Sequence, residues 1–203
     1  ANRALHAGYD ALRDAARSGS GLQAAAARLL HDGIHVGSLA GVVHTRLRSL
    51  VPALADRVDL EYSSRLLAVM KSCSSHVAMS ALKTVCNGWC TSHRMHEQTV
   101  FSCVFGCDEC DTLAHYIACP RLWTLLDEEL GMQSVCVAHR LGLHQVSGDT
   151  IRALFLAFHV YHAVKVGHKR VFLTALETSD FSPTFTVARS SIRAARAIIG
   201  HRR

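Results

Sequence analysis

Residues 103–123 read CVFGCDECDTLAHYIACPRLW, and the first 17 of them hold four of the chain's eight cysteines and one histidine. The spacing Cys103-x3-Cys107-x7-His115-x3-Cys119 has the shape of a four-ligand zinc site. The first pair sits on a tight turn containing Gly106, where two thiolates can converge on one ion. The second pair is spaced i, i+4 on a helix predicted over 111–130, which puts both side chains on one face, one turn apart. Three thiolates and a neutral imidazole fill a tetrahedron. A closed set of this kind is structural, whereas a catalytic zinc keeps one corner for water or substrate. The expected cofactor is therefore a structural Zn2+ that ties the Cys103–Cys107 turn to the helix beginning near Asp111. Cys110 is a rival ligand, and buried cysteines without any metal are the competing reading.

Outward from this stretch, helical signals dominate. Residues 2–17 and 22–32 have helical spacing, closed by Gly19-Ser20-Gly21 and by Gly33. A third helix is expected over 38–50, stopping before Pro52. Residues 59–72 and 75–88 read as a helical hairpin with Asn87-Gly88 as its C-terminal stop. Residues 149–166 (DTIRALFLAFHVYHAVKV) begin with an Asp cap and are apolar almost all round, the pattern of a buried helix. A last helix is expected over 183–199, with Ala188, Ile192, Ala195 and Ile199 as its buried stripe. The strand signal is confined to 99–105. The expected fold is mainly α, a helical domain with a small Cys-Cys-His-Cys zinc-knuckle insert. Its organisation would be an N-terminal helical segment, 1–58, and a helical domain, 59–203, containing the knuckle at 103–119.

With 203 residues, 49% of them apolar, the chain can bury a sizeable core. Its longest apolar stretch, 153–166, is interrupted by His159, His162 and Lys165 and is too short to span a bilayer, so no membrane insertion is expected. The formal charge is +6, and only four of 22 basic residues are Lys. Arginine's planar fork suits phosphate, although a GC-rich coding sequence would write the same composition. Clustered cysteines beside a histidine point to a reducing intracellular compartment. The Ala- and Arg-rich first 50 residues favour a mitochondrial or other organellar matrix over the nucleus, while fitting an Ala-rich helix pair equally well.

Other chemistry is thin. Cys86 and Cys90 with His93 and His96 could form a second metal site, but a packing turn anchored by Trp89 is the stronger reading. His159 and His162 read as satisfied core histidines, and Cys73 and Cys136 as lone buried thiols. Cys90 with His93 is the only local nucleophile–base pairing, and no third member accompanies it. There is no GxxxxGK or GxGxxG loop. The expectation is a protein that is not an enzyme and takes no small-molecule substrate.

The segments NGWCTSHRMHE (87–97), CVFGC (103–107) and DTLAHYIACPRLW (111–123) resemble the zinc-binding region that follows the polymerase domain in non-LTR retrotransposon reverse transcriptases. There a Cys-Cys-His-Cys cluster ends in a His-x3/4-Cys-Pro helix followed by a Trp. The resemblance implies Cys103, Cys107, His115 and Cys119 as ligands, with Pro120 and Trp123 as the flanking signature. YHAVKVGHKRVF (161–172) and ARSSIRAARAIIG (188–200) are similar to the tail of those proteins, so the likeness runs over roughly 60–200. The paired-Asp strand of a polymerase is missing, and 203 residues cannot hold fingers and palm. Polymerisation needs carboxylates for two metal ions.

The expected function is a non-catalytic, zinc-stabilised, RNA-binding structural protein in a larger ribonucleoprotein, such as an organellar ribosome, with structured RNA and neighbouring proteins as partners. Asp108, Glu109 and Asp111 make the knuckle loop acidic, so phosphate would meet positive charge elsewhere. That charge gathers at His93-Arg94, at Arg121, along Lys165, His168, Lys169 and Arg170, and on the Arg189, Arg193, Arg196, Arg202, Arg203 stripe. Two alternatives stand beside it: a protein–protein scaffold without nucleic acid, and the tail of an active retrotransposon protein.

Overall fold

Ser147 accepts a hydrogen bond from the backbone N–H of Thr150, whose hydroxyl answers the backbone N–H of Ser147. This reciprocal box starts the helix that organises the molecule. In the computed structural model, which describes residues 38–131 and 136–200, the chain is mainly helical. The helices are α1 (Leu39–Leu50), α2 (Leu60–Lys71), α3 (Ser75–Val85), α4 (Leu113–Ala118), α5 (Pro120–Leu130), α6 (Val137–Arg140), α7 (Gly148–His162), α8 (Lys169–Thr178) and α9 (Ser182–Gly200). A 3-10 helix, Pro52–Arg57, follows α1, and a π-helical segment, Ala163–Gly167, extends α7. The helices expected over 2–17 and 22–32, and Arg202 and Arg203, lie outside the described residues. Val43–Arg203 form one compact unit.

Helix α7 buries Ile151, Ala153, Leu154, Phe155, Leu156, Ala157, Val160 and Tyr161, so apolar contact surrounds it. Helices α2, α3, α5, α6 and α9 all pack on it, α3 most extensively. Emptying one such position, Leu154→Ala for example, would cost about 2–5 kcal/mol through lost transfer energy and the cavity left behind.

Several sequence expectations are corrected. Residues 99–105 form no strand. The only pairing there is one antiparallel bridge, Ser102 with Cys110, flanked by hydrogen bonds from Cys103 N to Glu109 O and from Asp111 N to Phe101 O. The helix expected over 111–130 is two helices broken at Cys119, whose ψ of 113° is extended. Pro120 causes the break, because its ring crowds an α-conformation in the preceding residue. Helix α3 ends at Val85, three residues early, and Asn87 takes the left-handed turn at φ 56°. Helix α8 was missed, although Phe172, Ala175 and Leu176 carry its spacing. Cys136 is exposed and Cys73 half-buried, so neither is a buried thiol.

Candidate metal centre

The turn Cys103–Gly106 closes with a hydrogen bond from Gly106 N to Cys103 O, 2.9 Å. Gly106 holds φ +81°, and a Cβ there would lie 2.6 Å from Phe181 Cδ2 and 2.7 Å from Arg121 Nη1. Glycine is required on both counts. Arg121 also donates to Phe105 O, fastening the turn to α5. On the other side, Thr112 caps α4 by accepting from His115 N at 3.2 Å, which sets the histidine in the first turn of that helix.

These elements bring Cys103, Cys107, His115 and Cys119 together, with their ligand atoms all within 4.8 Å of one another. His115 and Cys119 do not share one helix face as expected: Cys119 reaches the site from the kink before Pro120. Cys103 Sγ and Cys119 Sγ are 3.8 Å apart, and Cys107 Sγ and Cys119 Sγ 3.7 Å. A tetrahedral zinc with Zn–S bonds of about 2.3 Å separates its sulfurs by about 3.8 Å. His115 Nε2 is buried without a hydrogen-bond partner, the state of a ring nitrogen aimed at a metal rather than at protein. The sulfurs also accept backbone N–H groups, Phe105 to Cys103 and Leu122 to Cys119, each at 3.4 Å. Such donors support thiolate charge. The four residues therefore fit a single metal ion, and the donor set suits zinc. Cys110 is exposed and outside the set.

Without a cation the three thiols share the site unequally. The Cys119 side chain, in first place, holds the Cys103 thiol down to about 4, while burial and then the Cys103 charge push Cys107 up. Cys119 is raised because it is the partner that keeps its proton. A divalent ion would let all three ionise.

Beside the knuckle lies a buried polar network absent from the sequence reading. Asp111 is fully buried, with five donor contacts. Its Oδ2 accepts from Ser92 N (2.7 Å), Ser92 Oγ (2.8 Å) and Lys165 Nζ (2.5 Å). Its Oδ1 faces the Tyr116 and Tyr161 hydroxyls at 2.8 and 3.0 Å. Tyr116 meanwhile accepts from Val104 N, linking the knuckle turn to the carboxylate. Asp111 is thus no part of an acidic surface loop, and Lys165 is no part of a basic one.

Among the described residues no second group of potential ligands forms. Trp89 is buried, its Nε1 donating to Thr84 Oγ1 and its ring 4.7 Å from that of Tyr161. His93 and His96 are exposed and stand in turns, not on a helix. His162 is satisfied: Nδ1–H donates to Phe158 O at 2.8 Å and Nε2 accepts from Cys90 N at 3.3 Å.

Of the arginines expected to meet RNA, Arg189 bonds Glu128 and Glu129, Arg196 donates to Glu129 O, and Arg121 is held by Phe105 O. Arg94, Lys169, Arg170 and Arg193 are exposed and have no carboxylate partner among the described residues. No described helix is long and apolar enough to cross a membrane. No protein-family model, curated protein or solved structure matches this chain.

Proposed function

We propose that this chain is a non-catalytic, zinc-stabilised structural protein that binds structured RNA within a larger ribonucleoprotein, an organellar ribosome being one setting. Its origin would be the zinc-binding C-terminal region of a retroelement reverse transcriptase. The observation that supports the structural role of zinc is the closed set: Cys119 Sγ at tetrahedral spacing from both other sulfurs, with an orphaned imidazole nitrogen beside them, makes four donors and leaves no corner for water. RNA contact is supported by Arg94, Lys169, Arg170 and Arg193, exposed cations with no carboxylate partner among the described residues. Their contacts would be mainly to phosphate, hence salt-dependent and weakly sequence-specific.

A protein scaffold is the second reading, favoured by one feature. Arg189 and Arg196, two members of the C-terminal stripe, are already engaged with Glu128 and Glu129. Sedimentation of the native protein with and without ribonuclease separates the two. Migration with a large particle that collapses on treatment supports the ribonucleoprotein. A particle indifferent to ribonuclease supports the scaffold.

A further inference from the structure

Between α1 and the loop that follows α3 lies a cleft of about 270 Å³. Arg46 and Ser49 contribute from α1, while Asn87, His93 and Arg94 contribute from the loop, with Leu113 also among the lining residues. Among the described residues no aspartate or glutamate lines it. Arg46, His93 and Arg94 are exposed, and none is in an ion pair among the described residues. Arg94 spends one nitrogen on Trp89 O at 3.4 Å, and a second, weak contact reaches the Met95 sulfur. The Arg46 charge is felt by the half-buried Cys86, whose thiol burial pushes up and Arg46 draws partly back. Among the described residues the site is therefore a concave wall with two fixed cations, a histidine beside them and no carboxylate in its lining.

We infer that this cleft binds the phosphodiester backbone of a single nucleic-acid strand, with Arg46 and Arg94 gripping phosphate oxygens and His93 adding a donor. The inference rests on the nucleic-acid reading above and assigns it a place. Three considerations carry it. Low-dielectric walls concentrate positive potential in a cleft, which attracts polyanions above isolated surface cations. Arginine forks match phosphate oxygens two at a time. Because the cations are exposed rather than buried and convergent, one small anion gains little from them. A strand gains at each phosphate by releasing condensed counterions. Asn87 and Ser49 offer neutral side-chain donors of the kind that position a backbone without reading its bases.

The test uses the full zinc-loaded chain and a fluorescently labelled single-stranded RNA, read by anisotropy across a salt series. Matched arms use single-stranded DNA of the same sequence and competition by inorganic phosphate. Variants are Arg46→Glu, Arg94→Glu and the milder Arg46→Gln and Arg94→Gln, which keep the test alive if a reversal disturbs the fold. Lys71→Glu, an equal charge change at an exposed position outside the cleft lining, is the control. The expected result is at least about a tenfold loss of affinity for each reversal, with the salt slope falling by about one per arginine lost. Lys71→Glu should bind as the parent does. Equal binding of DNA supports the cleft and removes only the preference for RNA. If RNA binds but the cleft variants bind it like the parent, the cleft assignment is overturned while RNA binding stands. If no strand binds even at low salt, the cleft assignment falls, and the same assay with a structured RNA decides whether the RNA reading falls with it. Displacement of the strand by millimolar phosphate would also overturn the inference, by identifying a small-anion site.

Discussion

Lys165 Nζ lies 2.5 Å from Asp111 Oδ2, with the carboxylate fully buried and the lysine side chain 6% exposed. The two residues are 54 positions apart. One precedes the knuckle helix α4 and the other lies in the π-helical turn that extends α7, so this pair fastens the metal module to the central helix. Glu97 adds a second carboxylate 3.3 Å from Lys165.

Removing one partner of a buried pair strands the other charge, which costs about 3–5 kcal/mol. Lys165→Met should therefore lower unfolding free energy by that amount, and Asp111→Asn, which leaves Lys165 with Glu97, by less. Asp111→Asn with Lys165→Met should lose much less than the sum. Urea unfolding with zinc saturating reads all three, and additive losses would show that the pair is not coupled.

The metal set makes its own prediction. Cys103→Ser, His115→Ala and Cys119→Ser should each lower zinc content from about one ion per chain and lower the Tm with it, because a structural ion contributes its binding energy to folding. Cys110→Ser should change neither. Unchanged zinc in the first three, measured by elemental analysis, would refute the site.

Gly106 is tested by adding one methyl group. Gly106→Ala places an L-residue at φ +81°, a conformation that costs about 1–2 kcal/mol. The new Cβ also meets Phe181. The loss should therefore exceed the torsional cost alone. Adding Phe181→Leu should return the part of the steric cost owed to Phe181 and leave the torsional part and the contact with Arg121. A Gly106→Ala protein as stable as its parent would contradict the described turn.

Acid should weaken the fold in two windows. Burial, first, lowers the pKa of His162 below its ordinary value of 6.5, against a raising contact with Phe158 O. Lys83, His159 and Lys165 lower it further. The unfolded chain then binds the proton more readily, so this stability is present above pH 6.5 and lost as pH falls below it. For Asp111, burial alone would raise the pKa, but Lys165, Ser92 and Tyr116 outweigh it and hold the carboxyl below 3.8. Its contribution is present above pH 3.8 and lost as pH falls through the lowered value. His162→Gln keeps a donor and an acceptor but cannot titrate. It should flatten the stability change between pH 7 and 5.5 relative to the parent, with zinc content matched at each pH. An identical slope would rule out His162 as its source.

The helical class was legible because α7 is apolar almost all round and α1, α2, α3 and α9 have clear spacing and stops. The cluster of Cys103, Cys107, His115 and Cys119 was legible because all four fall within one short segment. What escaped is non-local. Asp111 in a loop and Lys165 in an apolar run give no sign of each other, since charge pairing across 54 residues has no period. The break at Cys119 had a local sign, Pro120, which the helical spacing of Leu113, Tyr116, Ile117, Leu122 and Leu125 overrode. The arginine stripe showed its face but not its partners, because Glu128 and Glu129 belong to α5.

That last point separates the arginines of α9. Arg189 reaches Glu128 Oε2 at 3.0 Å and Glu129 Oε1 at 3.1 Å, whereas Arg193 is exposed without a carboxylate partner among the described residues. Arg189→Glu would set three acidic side chains against one another and should lower the Tm, whatever it does to RNA. Arg193→Glu should leave stability within about 0.5 kcal/mol, as surface substitutions do. If RNA is the partner of this face, Arg193→Glu lowers affinity at unchanged Tm, and raising salt shrinks the difference. If the face docks protein, Arg193→Glu weakens assembly in a ribonuclease-insensitive way and leaves RNA affinity alone. Arg189 cannot discriminate between these cases, because its substitution disturbs the α5–α9 contact itself.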